Sequence, residues 1–401
     1  MNSNNHLHPA VILDITQAGY DIIRSLYKYK IPLYAFSYKA NSIENKTKRV
    51  TEIIDYNAQE DLLEKLIALS KRLKVKPVLY LSSDHRLEFV MEHYDVIQEH
   101  FLVNFPSIDT LNTLLDKREL NNFALKNNLQ APATVNITSA DAIEKVKSLD
   151  FPIIVKPFVK TAAWYASERP KAIIYDTFEE YEADIADVLN IEDRLIVQEF
   201  IPGGANDIYA CFVYFNQKGE FVQSFTGQKI RQWRSLTGTS SCIRPFNHPE
   251  ILEQTIQFFK LVNYKGFGSM EYKQNPNNGK FYLIEPTVGR FDLNTLVCTV
   301  GGANLPLAYY NDVTNQNIVP KEKPNDNFAY IHELYDMRSA YHSISTKNET
   351  PKQLLKSYKG KLYFHYMNTD DPVVTRKVLY KVSRYIASKL FRYMTGKTSK
   401  A

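Results

Sequence analysis

The stretch Gly266-Phe-Gly-Ser-Met-Glu-Tyr-Lys-Gln-Asn-Pro-Asn-Asn-Gly-Lys-Phe-Tyr-Leu-Ile-Glu-Pro-Thr-Val-Gly-Arg-Phe291 decides how this chain is read. Two runs, Gly266 to Gln274 and Lys280 to Glu285, predict a β-hairpin, because Asn275 to Gly279 between them are residues that tolerate the positive φ of tight turns. Glu271 and Glu285 fall on the two arms, each flanked by apolar residues. On adjacent antiparallel strands such carboxylates can point to one face and share a hard cation, with phosphates and water completing the shell as magnesium prefers. Either glutamate alone reads equally well as a solvent-facing residue on an exposed strand, but the pair on one hairpin is harder to dismiss. Arg290 follows closely, where a guanidinium can stabilise charge on a transferring phosphoryl group.

Upstream lie the cations and strand ends that would accompany such a site. Lys117 sits in Leu114-Leu-Asp-Lys-Arg118, and Lys156 closes the apolar run Phe151-Pro-Ile-Ile-Val-Lys-Pro157. A lysine at the end of a buried strand is held on a rigid element at a cavity rim, in reach of phosphate oxygens, although taken singly it would be an ordinary surface lysine. The run Val197-Gln-Glu-Phe-Ile-Pro-Gly203 predicts a strand whose terminating backbone can offer carbonyl and N–H groups to the edge of an adenine, a weak motif by itself because such bonding makes little demand on side-chain identity, and Asp207 just beyond can accept from ribose hydroxyls. No GxxxxGK[ST] loop, no GxGxxG after the first strand, no HExxH and no calcium loop occurs.

The first third alternates short apolar strands with amphipathic helices, the rhythm of a parallel sheet with helical crossovers. Ala10 to Leu13, Pro32 to Phe36 and Pro77 to Leu81 read as strands, and Glu60 to Leu73 as a helix. The third strand empties into Ser82, Ser83 and Asp84, the end at which open α/β sheets place ligands. Around Asn127 to Thr138 the pattern breaks. Phe151 to Lys156, Ala172 to Tyr175 and Leu195 to Ile201 then read as strands with a helix at Phe178 to Leu189, the first two joined by a long loop. Strands at Ile208 to Phe215 and Phe221 to Gln228 and a helix at Glu250 to Val262 lead into the hairpin.

At 401 residues, 44% apolar and 23% charged, the chain predicts a soluble protein of two or three packed units. No signal peptide or spanning segment is legible, so a cytoplasmic location is expected. Cys211, Cys242 and Cys298 lack disulfide or zinc spacing and read as buried free thiols. The net charge of +5 is uneven: Val373 to Ala401 carries eight basic residues (Arg376, Lys377, Lys381, Arg384, Lys389, Arg392, Lys397, Lys400) and no acid, leaving −3 for the rest. The basic tail thus gives no general argument for nucleic-acid binding. Leu379, Val382, Ile386, Leu390 and Tyr393 recur at helical spacing over Val373 to Met394, as in a helix docked on its own protein or one lying on an anionic membrane.

The ordered set resembles the ATP-grasp superfamily, in particular its stand-alone carboxylate-amine ligases, over roughly residues 9 to 315. The resemblance implies an α/β and α+β chain: a Rossmann-like pre-ATP-grasp domain over 1–115, an ATP-grasp domain over 116–330 with a small lobe at about 135–200 and a large lobe at about 201–330, and a C-terminal helical extension over 331–401. It implies ATP with Mg2+ or Mn2+, Lys117 and Lys156 holding phosphates, Gln198, Glu199, Phe200 and Ile201 at adenine, and Asp207 at ribose. Glu271, Glu285 and Thr287 would hold the metal, with Arg290 and Lys156 at the reacting phosphate. Arg231 would meet a substrate carboxylate, with Lys229 and Arg234 beside it, although alternation on an exposed strand explains those three equally well. Two departures stand out. Threonine at 287 replaces the usual asparagine ligand, with one extra residue before Arg290, and the loop Phe158 to Pro170, with Lys160, Trp164, Ser167 and Arg169, lacks the glycine of a phosphate lid.

The implied reaction activates a carboxylate as an acyl phosphate and joins it to an amine, in amino-acid, peptide or cell-surface polysaccharide modification. The alternatives are a catalytically silent ATP-binding sensor or assembly protein and a bicarbonate-using carboxylase. Small carboxylates and amines are the expected partners, Asp84 is a candidate for facing the acceptor, and a homodimer is the default assembly.

Overall fold

A computed structural model describes residues 6–38, 42–138, 141–158, 161–170, 172–234 and 238–395. Lys160, Lys397 and Lys400 lie outside them, as do the side chains of Leu390, Arg392 and Tyr393. Three sheets organise the rest. The first is parallel, in the order β3-β2-β1-β4, from β1 (Ala10–Leu13), β2 (Leu33–Tyr38), β3 (Glu52–Tyr56) and β4 (Val78–Leu81). Every residue of β1 and β4 is buried, as expected of central parallel strands covered on both faces. The helix Gln17–Leu26 begins directly after β1 because the Thr16 side chain accepts the Gly19 N–H. Gly19 is required there, since a Cβ would stand 2.3 Å from the Asp14 carbonyl oxygen.

The second sheet is antiparallel, in the order β5-β8-β6-β7, from β5 (Thr134–Thr138), β6 (Ile153–Pro157), β7 (Ile173–Tyr175) and β8 (Arg194–Glu199). It packs a core of its own around Trp164, Tyr181, Val155 and Val197. The segment expected to be a long loop between β6 and β7 instead holds a short helix, Ala162–Ala166, capped by Thr161, and buries Trp164. Arg169 anchors it further through two bonds to Asp184, at 2.7 and 2.9 Å.

The third sheet has seven strands in the order β13-β12-β9-β10-β11-β14-β15. These are β9 (Ile208–Phe215), β10 (Phe221–Trp233), β11 (Thr239–Pro245), β12 (Gly266–Gln274), β13 (Phe281–Val288), β14 (Phe328–Ile331) and β15 (Lys361–Phe364). All pairings are antiparallel except β14 with β15. The first and third sheets share continuous cores: Ala10, Ile12 and Tyr80 pack with Phe212, Tyr214 and Phe267, and Val11, Leu13 and Leu79 with Cys211, Val213 and Met270. The second sheet stands apart, so the space between it and the hairpin β12–β13 is the natural cleft. All three cysteines are free and buried.

The C-terminal helix, Pro372–Thr395, docks through Val374, Val378 and Val382 on Tyr20, Ile43 and Tyr366. Among the described residues no helix is long and apolar enough to cross a membrane.

Candidate active site

The hairpin aligns the two glutamates as cross-strand partners: Glu271 lies directly opposite Glu285, and Ser269 opposite Thr287. Directly opposed residues of an antiparallel pair share one face. The facing is helped by a bulge at this point, where Tyr272 pairs with Leu283 and Ile284 is the extra residue. Bulges re-aim side chains in this way. Met270 and Tyr272 turn into the core while Glu271 stays half-buried and Glu285 exposed. Lys229 of β10 reaches across β9 to place its ammonium 2.6 Å from a Glu271 carboxylate oxygen.

Past the hairpin, Gly289 adopts φ 68°, and a Cβ there would lie 2.7 Å from Leu87, so only glycine lets the chain press this closely on the first sheet's helix Asp84–Glu92. The Phe291 N–H then donates to the Leu81 carbonyl at 2.9 Å, fastening the end of β4 to the hairpin. In consequence Asp84 meets Arg290, with one guanidinium N–H donating to it at 3.2 Å, and Asp292 lies 3.7 Å from the same guanidinium. Burial, with Glu271 adding to it, pushes the Asp292 carboxyl up to about 6 against the opposing pull of Arg290 and Lys229. Charge on Glu285 also acts on Arg290. Glu271, Glu285, Arg290, Lys229, Asp84 and Asp292 therefore form one constellation.

Beside them, Lys273 continues the face of Ser269 and Glu271 by strand alternation. Its ammonium stands 4.3 Å over the Phe200 ring. Burial lowers its pKa, Asp207 opposes this, and the neighbouring Lys156 lowers it further. Lys156, Lys273, Phe200 and Asp207 are thus brought together between β6, β12 and the end of β8. At that strand end the N–H of Glu199 donates to Ala133 at 2.9 Å and that of Phe200 to Pro152 at 2.8 Å, so the hinge offers a ligand no amide before Ile201, whose side chain is buried. The Gln198 amide donates to Thr134 at 2.9 Å, a Glu199 carboxylate oxygen accepts from Asp150 N–H at 3.0 Å, and an Asp207 oxygen accepts from Gly204 N–H at 2.7 Å. Lys117 is exposed at the start of the helix Lys117–Lys126, while its neighbour Arg118 lies 4.7 Å over the Phe158 ring at the end of β6.

Arg231 does not belong to this cleft. It is 4% exposed and forks onto Asp336 at 2.8 and 3.1 Å, with Ser357 as a further partner and the Tyr358 ring at 4.6 Å. The register of β10 against β11 shifts between Lys229 and Arg231, so the alternation that would set both on one face is broken. Lys229 turns to Glu271 and Arg231 to the opposite packing surface. Two members of the site escaped sequence reasoning: Lys273, although it is two residues from Glu271 on one strand, and Asp292, whose only signal was its place two residues after Arg290.

Among the described residues no group of three or more His, Cys, Asp or Glu side chains is arranged to hold a metal by itself. Two opposed glutamates nevertheless suit Mg2+, which binds through one or two carboxylates and takes its other ligands from phosphate and water.

No family model matches the chain. It is 22% identical over 286 residues to a D-aspartate ligase of Enterococcus faecium (strain Aus0004), covering 68% of each chain. Among solved structures it superposes on the biotin carboxylase domain of Hydrogenobacter thermophilus 2-oxoglutarate carboxylase, solved with MgADP, ADP and bicarbonate, with TM-score 0.61, 12% identity and coverage of 81% of this chain and 74% of that one. It superposes on an ADP complex of PurK, an N5-carboxyaminoimidazole ribonucleotide synthetase, with TM-score 0.60, 12% identity and coverage of 85% and 86%. A Rhizobium etli pyruvate carboxylase also matches at TM-score 0.58 and 15% identity over 80% of this chain, which spans only 30% of that protein. The chain therefore shares the fold of these structures.

Proposed function

We propose that the chain is an ATP- and Mg2+-dependent ligase that activates a carboxylate as an acyl phosphate and joins it to an amine. The observation that carries this reading is the direct opposition of Glu271 and Glu285 beside Arg290, with Lys273 on the same face of β12 and Lys156 near Lys273. In the reaction a substrate carboxylate oxygen bonds to the γ-phosphorus of ATP and ADP leaves. The amine nitrogen then bonds to the acyl carbon, phosphate leaves, and the nitrogen loses a proton. Bound Mg2+ would neutralise phosphate charge between Glu271 and Glu285, with Thr287 as a weaker oxygen ligand.

The chain's own groups do the rest by positioning and charge. Lys156 and Lys273, with Lys117 at the rim, draw the phosphates to the cleft, while Phe200, Ile201 and Asp207 border the nucleoside. Lys229 fixes the orientation of Glu271. Arg290, itself oriented by Asp84 and Asp292, faces the oxygens that gain charge. The D-aspartate ligase relative favours an amino acid as one substrate. The location that goes with this reading is the cytoplasm.

The test is ADP and phosphate release from ATP during a screen of amino acids paired with small carboxylates. Release that requires both partners and Mg2+ supports ligation. Release driven by bicarbonate alone would assign a carboxylase, and ATP binding without release in any pool would assign a sensor.

A further inference from the structure

The C-terminal helix turns its apolar residues two ways, and only one of them is used by the protein. Val374, Val378 and Val382 face inward, and Lys389 on the same side lies 4.3 Å over the Tyr341 ring of the helix Glu333–Ser345. Leu379 and Ile386 are each 48% exposed and Tyr380 is 61% exposed. Residues seven apart in a helix share one side, so Leu379 and Ile386 form an outward stripe that no part of the described chain covers. Lys377, Lys381 and Arg384 are exposed beside it.

The neighbouring elements share this character. Of thirteen large apolar side chains exposed among the described residues, seven fall within 341–386, among them Leu355 on the short helix Pro351–Ser357, which also carries Lys352 and Lys356. Charge is segregated in the same place. Residues 338–401 hold fourteen lysines and arginines against three acids, a net +11 in a chain of net +5, which leaves −6 for the first 337 residues. A helix with an exposed apolar stripe flanked by lysine and arginine has the composition of one that lies in a lipid headgroup layer, its apolar side chains inserted and its cations on lipid phosphates.

We propose that the outward face of Pro372–Thr395, centred on Leu379, Tyr380 and Ile386 and flanked by Lys377, Lys381 and Arg384, docks the protein on an anionic lipid bilayer. The acidic remainder of the molecule is repelled by the same surface, so the docked orientation is polar, with this face toward the lipid. Binding of this kind is independent of the ligation chemistry and stands or falls separately from it.

Co-sedimentation of the full chain with phosphatidylcholine vesicles, with and without phosphatidylglycerol, tests the proposal. Anionic lipid should raise the bound fraction about tenfold, and ~0.5 M salt should reverse most of that gain. The double variant Leu379→Asp/Ile386→Asp should lose about tenfold in binding to the anionic vesicles, while its melting temperature and ATP turnover stay at the parent values, since both positions are exposed. Equal binding to neutral and anionic vesicles, no binding to either, or undiminished binding by the double variant overturns it. So does sedimentation-velocity analysis in which the double variant breaks up a dimer without any change in vesicle binding, because the face would then be a contact between two copies of the chain.

Discussion

Glu271 and Glu285 were legible as a pair because strand pairing is a local rule, and a hairpin whose turn is readable puts its two arms in a known relation. Replacing Glu285 with Ala removes a carboxylate that acts on Arg290 from beyond ion-pair contact and makes no salt bridge among the described residues. Turnover should therefore fall by at least ~10³-fold, the scale on which electrostatic groups act at a reacting centre, with an unchanged melting temperature. Lys156→Ala should chiefly weaken ATP binding, read as a raised KM for ATP. Asp292 was less legible, because its meaning depends on Arg290 and Glu271 converging on it from other elements. Its carboxyl is raised to about 6 mainly by burial, so it is ionised above that pH and loses its hold on Arg290 below it. The expected result is a kcat/KM that declines as pH falls through about 6 in the parent chain. Asp292→Asn should have lower activity at pH 7.5 and lack that decline; a pH–rate profile with the parent's acid limb intact would remove Asp292 from the site.

At the scale of elements, what the sequence revealed best were runs buried on both faces, such as β1 and β4, and what it hid were strands whose partners are distant. β14 and β15 pair with each other across the intervening helices Glu333–Ser345 and Pro351–Ser357, and neither run alternates cleanly enough to announce a strand. β10 extends five residues past the expected end at Gln228, and its register shift sends Arg231 away from the cleft. The bidentate pair with Asp336 there is nearly inaccessible to solvent, and Ser241 and Tyr358 also donate to Asp336. Removing one partner of such a pair leaves the other charge buried alone. Arg231→Met should therefore cost about 3–5 kcal/mol in urea unfolding, and adding Asp336→Leu should restore much of that loss. Were Arg231→Met to lower kcat with stability untouched, the arginine would have to be returned to the catalytic constellation.

On the scale of the whole molecule, the shared cores of the first and third sheets make one body, and the seam that closes it carries an unusual load of buried polar groups. Asp21 and Arg24, on the first helix, meet the C-terminal region there: Asp21 lies 3.1 Å from the His365 ring and accepts from Tyr330, while Arg24 donates to the Phe364 carbonyl at 2.7 Å. His332 stacks on His365 at 4.5 Å and on Tyr335 at 4.0 Å. Neither of its ring nitrogens has a hydrogen-bond partner among the described residues. No sequence pattern pointed to this seam, since its members are scattered from residue 21 to residue 365 and only the folded chain assembles them. Burial, with the His365 ring adding to it, holds the His332 imidazole well below its ordinary range. The unfolded chain then binds a proton that the folded chain refuses, so this contribution to stability is complete above about pH 6.5 and is lost as the pH falls below it, by up to ~1.4 kcal/mol per pH unit. Asp14, Glu333 and Asp292 are raised, chiefly by burial, and act with the opposite sign: each contributes stability that grows as the pH falls through its raised folded-state range, which for Asp292 begins at about 6. The clean measurement is therefore comparative. Between pH 7.5 and 6 the parent chain should lose melting temperature, and His332→Phe, which keeps a ring in the stack and removes the titrating group, should lose distinctly less. Identical slopes for the two proteins over that interval would mean that His332 takes up its proton without opening the seam.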